Sequence, residues 1–151
     1  MTSIRRQIEV SCEPRAIFDV LADVERLAEF SHMTVRVDNG PGRPLAVGDH
    51  FDQVVKLLHL EINTEWEVTE LVAGERIRVE GRSKANGSAT ITQHVVAQGD
   101  GSLVTFDIEY EPPFGILGEI ADTALFEKRH EDDAEQILEG LTTLCEGAGA
   151  R

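Results

Sequence analysis

Apolar residues recur along this chain with two different periods, and the changes between them divide it into three stretches. In PRAIFDVLADVERLAEF, residues 14–30, Ala16, Ile17, Val20, Leu21, Val24, Leu27 and Phe30 keep helical spacing. Glu13-Pro14 opens this stretch with proline in the first turn, where its missing N–H is no loss. Asp23 is the expected cap where the stretch breaks into two short helices. Ahead of it, residues 5–11 alternate enough, at Ile8 and Val10, to predict a strand.

Residues 34–38 predict a further short strand, and NGPGRPLAVGD after it is a loop, not a linker between domains. The period then becomes two. Phe51, Gln53, Val55 and Leu57 share one face, and Leu60, Ile62, Thr64, Trp66 and Val68 share one face of the next strand. Val72-Ala73-Gly74 turns the chain into Ile77 and Val79, while Asn86-Gly87 and Gly99-Asp100-Gly101 are hairpin signals. Ala89, Ile91, Gln93 and Val95 continue the apolar face. In the last strand Val104, Phe106, Ile108 and Tyr110 alternate with Thr105, Asp107, Glu109 and Glu111. Such a meander is antiparallel, with one face buried and one wet, and Glu65, Glu67, Glu109 and Glu111 fall on the wet side.

Pro112-Pro113 ends the sheet, and residues 116–146 read as one helix of about 45 Å. A solitary helix of that length must lie across a broad apolar surface, and the sheet is what the chain offers. On its wheel Ile120, Thr123, Glu127, His130, Glu131, Ala134, Ile137, Leu138, Leu141 and Cys145 fall near one face, apolar at both ends and polar in the middle.

Composition narrows the setting. The 151 residues suit one domain, 1–151, with 41% apolar residues for a core. A net charge of −14 repels phosphate backbones and anionic lipid, so nucleic acid is not an expected partner. No apolar run is long enough to insert in a membrane, and MTSIRRQIEV lacks a signal peptide's apolar segment, which makes a cytoplasmic location the expectation. Cys12 and Cys145 stand at opposite ends of the chain without metal spacing and are expected as buried free thiols.

The order of elements, strand, two short helices, meander and long C-terminal helix, resembles the helix-grip fold of the START-related (SRPBCC) superfamily. Within it the chain is similar to the polyketide cyclase/dehydrase and lipid-transport branch. The resemblance rests on EPRAIFDVLADVERLAEF, LEINTEWEVTEL, GDGSLVTF and PPFGILGEI, and covers nearly the whole chain. It implies an α+β fold in which a curved antiparallel sheet of six or seven strands wraps the C-terminal helix, leaving a cavity for an apolar ligand. Members include aromatase/cyclases, ubiquinone-binding proteins, sterol carriers and plant hormone receptors. Here the inward strand positions hold few of the tryptophan, arginine and other polar groups that line aromatase/cyclase pockets.

Motifs for phosphate binding, dinucleotide binding, zinc proteolysis and a nucleophile elbow are absent, and no cofactor is expected. His32, His50, His59, His94 and His130 show no i,i+2 or i,i+4 pairing, so no metal is expected either. The candidate ligand-binding residues are the inward set: Gln93, Trp66, Phe51, Gln53, Val55, Ile91, Phe106, Tyr110 and Ile120. Gln93 and Gln53 are uncharged amides able to orient a ligand carbonyl or hydroxyl; Gln93 bonded to backbone or water at a sheet edge is the alternative. Trp66 is either cavity wall or core. His130, flanked by Glu127 and Glu131, is the candidate general acid or base, unless EKRHEDDAE is simply a solvated charged face.

The leading expectation is binding or transport of a small hydrophobic molecule, such as a polyketide, quinone or lipid, between sheet and helix. A cyclase or dehydratase working in the same cavity is the alternative. A protein-interaction or stress-response domain with an acidic convex face is the third. A monomer or a homodimer is expected, since a meander leaves an exposed edge.

Overall fold

The computed structural model describes residues 2–57, 60–83, 87–111 and 123–149. Strand β1 (Thr2–Val10) leads into helix α1 (Pro14–Ala22), a single 3-10 turn (Val24–Arg26) and the one-turn helix α2 (Leu27–Phe30). Strands β2 (Thr34–Asp38), β3 (His50–Leu57), β4 (Leu60–Val72), β5 (Arg76–Ser83), β6 (Ser88–Gln98) and β7 (Gly101–Glu111) follow, and helix α3 (Thr123–Gly149) closes the chain. All seven strands form one antiparallel sheet in the order β1-β7-β6-β5-β4-β3-β2. The meander predicted from period two is therefore real, and β1 extends it by pairing with the last strand rather than with its sequence neighbour.

Register carries the apolar face across the strands. One row runs Ile4, Ile108, Ile91, Val79, Val68, and the next runs Tyr110, Ala89, Gly81, Trp66, Phe51. A bulge between Val68 and Glu70 inserts one extra residue, so Leu71 returns to the inward side opposite Ile77 despite its odd spacing from Val68. Helix α1 packs over β5 and β6, α2 against β2 and α3, and α3 lies along β1. Leu138 and Leu141 of α3 are fully enclosed together with Ile17, Val68, Ile77 and Val104. Glu65, Glu67, Glu109 and Glu111 are exposed on the outer face.

Several boundaries differ from the expectation. Strand β1 starts at Thr2, because its pairing with β7 extends through Tyr110 regardless of the polar residues before Ile8. Asp23 makes no side-chain cap; its backbone N–H instead donates to the Val20 carbonyl at 3.2 Å, closing α1 from the main chain. Helix α3 continues past Glu146 to Gly149, and the expected helical residues 116–122 lie outside the described residues. Gly140 brings α3 against α2 so closely that a Cβ there would collide with the Phe30 carbonyl oxygen.

Candidate ligand-binding cavity

Two adjoining spaces remain between the concave face of the sheet and the helices. The larger is about 170 Å³ and is walled by side chains including Met33, Val55, Ile62, Ala89 and Ala134. The smaller is about 100 Å³ and lies toward α1 and α2, among Leu21, Leu27, Phe30, Ile77 and Phe106. Ser31, Gln53, Trp66, Ile91, Ile108 and Ile137 line both, so these six residues form the boundary between the two chambers. Arg82, Ser83, Ser88 and Glu111 stand at the strand ends bordering the larger one.

Trp66 is the central wall of this interior. Its indole stacks on Phe51 with ring centroids 6.5 Å apart and planes 11° from parallel. Its other support is Gly81, directly opposite on β5, where even a Cβ would lie 2.5 Å from the ring. The indole Nε1–H donates to Thr64 Oγ1 at 2.8 Å, and Thr64 Oγ1 donates in turn to the Gln53 carbonyl at 2.7 Å. With its N–H satisfied by the strand pair itself, Trp66 presents the chambers with ring surface. Trp66 is thus a buried core residue that also lines both spaces.

Beside it runs a second set of polar contacts. Gln53 Nε2 donates to Thr34 Oγ1 at 2.7 Å, and Thr34 Oγ1 donates to Ser31 Oγ at 2.9 Å. All three side chains are buried. Burying three polar groups requires partners for them; Gln53 finds Thr34 across the β2–β3 pair, and Thr34 finds Ser31 three residues back along the chain.

The inward residues nominated from the sequence are distributed over both chambers. Gln53, Val55, Trp66, Ile91 and Tyr110 line the larger one, and Phe51, Gln53, Trp66, Ile91, Gln93 and Phe106 the smaller. Gln93 belongs to β6, flanked by β5 and β7, so it is not at a sheet edge. Ile120 lies outside the described residues, as do the side chains of Glu127, His130 and Glu131. On the described part of the gripping face, Ala134, Leu138, Leu141 and Cys145 are buried and Ile137 is half-buried.

Pattern reading missed Ser31 and Met33, which sit between α2 and β2 where no period operates, and Thr34, the first residue of β2. A buried inward glutamine was the available signal, since it demands a partner nearby. Gly81 was also missed, although a glycine inside a strand marks close approach by another group. Among the described residues no group of three His, Cys, Asp or Glu side chains is arranged to hold a metal.

Away from the cavity, Cys12 and Cys145 come to the same seam. The Ser11 N–H donates to the Glu146 carboxylate at 3.0 Å, and both thiols are free and buried. Burial, then the neighbouring Cys12, pushes the Cys145 thiol up to about 11; burial also raises that of Cys12.

Residues 1–146 match the model of a family described as polyketide cyclase / dehydrase and lipid transport. The chain belongs to this family. Solved structures similar to this member of the polyketide cyclase / dehydrase and lipid transport family span it almost end to end. TTHA0849 from Thermus thermophilus is 18% identical with a TM-score of 0.74, covering 97% of this chain and 99% of that one. A START superfamily protein from Mycobacterium smegmatis is 15% identical with a TM-score of 0.71, covering 97% and 98%. The Aha1 dimer from Colwellia psychrerythraea is 14% identical with a TM-score of 0.70, covering 97% of each chain. At these identities the likeness establishes the helix-grip fold: a curled seven-stranded sheet, short helices after β1 and a C-terminal helix. No curated protein matches the chain. Among the described residues no helix is long and apolar enough to cross a membrane.

Proposed function

We propose that this protein binds a small hydrophobic molecule between the sheet and α3, to hold it or to carry it. The observation that carries the reading is the pair of adjoining apolar spaces, about 170 and 100 Å³, against the concave face of the sheet. Well-packed interiors leave few voids larger than a water molecule. Space on this scale lined by Val55, Ile62, Ile91, Ile108 and Ile137 offers an apolar ligand the contacts that these side chains otherwise lack. The family description, which includes lipid transport, supports the same reading.

Polar groups in the described lining are mainly uncharged and already engaged with one another, which suits orientation of a ligand more than proton transfer. Cyclase or dehydratase chemistry, which the family description also names, requires an acid and a base facing each other across a ligand. The nominated groups for that are His130 with Glu127 or Glu131, and Gln93 with Tyr110. Turnover lost in both His130→Ala and Gln93→Ala, with folding intact, would favour the enzyme over the carrier.

The binding reading is tested by native mass spectrometry of the purified protein before and after extraction with organic solvent. A removable apolar adduct, or stoichiometric uptake of an added apolar probe, is expected. A protein that carries nothing and takes up no probe would contradict it.

A further inference from the structure

We propose that Ser31, Thr34 and Gln53 form a polar anchor that selects a neutral ligand of one or two rings carrying a hydroxyl group. This deepens the ligand-binding reading above and rests on it. Relative exposures of 4% for Ser31, 8% for Thr34 and 9% for Gln53 place all three out of bulk water. Within the relay the Gln53 amide donates to Thr34, and Thr34 donates to Ser31. Thr34 is thereby used both as acceptor and as donor. What the relay leaves over is the carbonyl oxygen Gln53 Oε1, an acceptor, and two donors, the second Nε2–H of Gln53 and the Ser31 hydroxyl proton. Among the described residues none of these has another side-chain partner, and Ser31 and Gln53 both line both chambers.

An acceptor beside a donor on a shared wall matches a hydroxyl, which donates to Gln53 Oε1 and accepts from Ser31. A pure hydrocarbon would leave the amide oxygen dry and unpaired, which costs binding. A carboxylate has no proton to give the amide oxygen and would carry its charge out of water without a paired cation. In the described lining the cation nearest to serving it, Arg82, is exposed at the strand ends. Neighbouring Thr64 and Trp66 do not compete for the hydroxyl, since the indole N–H is committed to Thr64 Oγ1 and the threonine proton to the Gln53 backbone carbonyl.

Size sets the rest of the ligand class. An apolar cavity of about 150 Å³ accommodates a benzene ring. The larger chamber, at about 170 Å³, therefore takes one ring, and extension past Trp66 into the further 100 Å³ admits a second. The Trp66 face supplies a flat wall for stacking.

Trp66 is the sole tryptophan, so its fluorescence reports occupancy of the chambers directly. The test compares naphthalene, 1-naphthol and 1-naphthoate on the wild type and on Gln53→Leu, which keeps the side-chain bulk and removes the amide. For the wild type, 1-naphthol is expected to bind about tenfold more tightly than naphthalene, the usual scale of one buried hydrogen bond. Naphthoate is expected to bind more weakly than naphthol. In Gln53→Leu the naphthol preference should fall to one or below while naphthalene still binds. Should Gln53→Leu fail to fold, Ser31→Ala is measured instead and should reduce the same preference. A preference unchanged in the variant, or naphthoate the tightest ligand, overturns the anchor alone. Failure of all three probes to bind the wild type overturns both the anchor and the ligand-binding reading.

Discussion

Replacing Gly81 by alanine probes how Trp66 is held over the cavity. The new Cβ would sit 2.5 Å from Cδ2 and Cε3 of the indole and 2.7 Å from Cε2, well inside van der Waals contact. Gly81 does not need a left-handed conformation, so the cost is steric and not torsional. The ring must tilt away, at about 1–3 kcal/mol for overpacking a filled site. Tilting also strains the Nε1 bond to Thr64, a buried contact on the scale of about 1 kcal/mol. Alanine returns roughly 0.5–1 kcal/mol by stiffening the unfolded chain. The net expectation is about 2 kcal/mol of destabilisation, read as a lower midpoint in urea unfolding followed by circular dichroism. Trp66 emission should shift as the indole loses its seat on Gly81 and its stack on Phe51. A variant within about 0.5 kcal/mol of wild type with unchanged emission would refute the close packing of Trp66 on Gly81.

Other residues give independent checks. Gly140→Ala should destabilise the protein even though alanine favours an exposed helix by about 1 kcal/mol, because its Cβ meets the Phe30 carbonyl; a stabilised variant in thermal unfolding would contradict the α2–α3 contact. Leu141→Ala, at a fully buried position, should cost about 2–5 kcal/mol in the same assay, and a loss under 1 kcal/mol would mean α3 does not grip the sheet there. Cys145, pushed up to about 11, should be only roughly one part in a thousand thiolate at pH 8, so Ellman's reagent should label it slowly until denaturant is added. Arg43, then the Ala46 N–H, holds the Asp49 carboxyl below its ordinary value, so in acid the unfolded chain binds the extra proton and stability rises with pH. The stabilisation of wild type over Asp49→Asn should thus be present above the ordinary aspartate range and vanish as pH falls through the lowered value; a gap that persists in acid would refute the pairing.

Much of the fold was legible because burial on one side imposes a period, and a period survives in a single sequence. The helical spacing from Ala16 to Phe30 and the alternation from Phe51 to Tyr110 define α1, α2 and strands β3 to β7, and their order was enough for the resemblance to the helix-grip superfamily. Where pairing instead of burial decides an element, the pattern is silent. The polar start of β1 at Thr2 is held by β7, and the bulge at Thr69 is a register event with no residue signature of its own. The cavity wall divides in the same way. Inward parity put Gln53, Trp66, Gln93 and Tyr110 on the concave face, where the structure has them. Thr34 reaches Gln53 across the β2–β3 pair and Ser31 joins them from the end of α2, a meeting that no local pattern encodes.

The occupancy of the chambers is tested most directly by titrating naphthalene against Trp66 fluorescence in the wild type and in Ala89→Phe. Ala89 lines the larger chamber, and phenylalanine there fills space that a ligand would need. Saturable one-to-one quenching in the wild type, abolished in a folded Ala89→Phe, is the predicted result. Quenching that never saturates, or equal affinity in the two proteins, would contradict a ligand site between the sheet and α3.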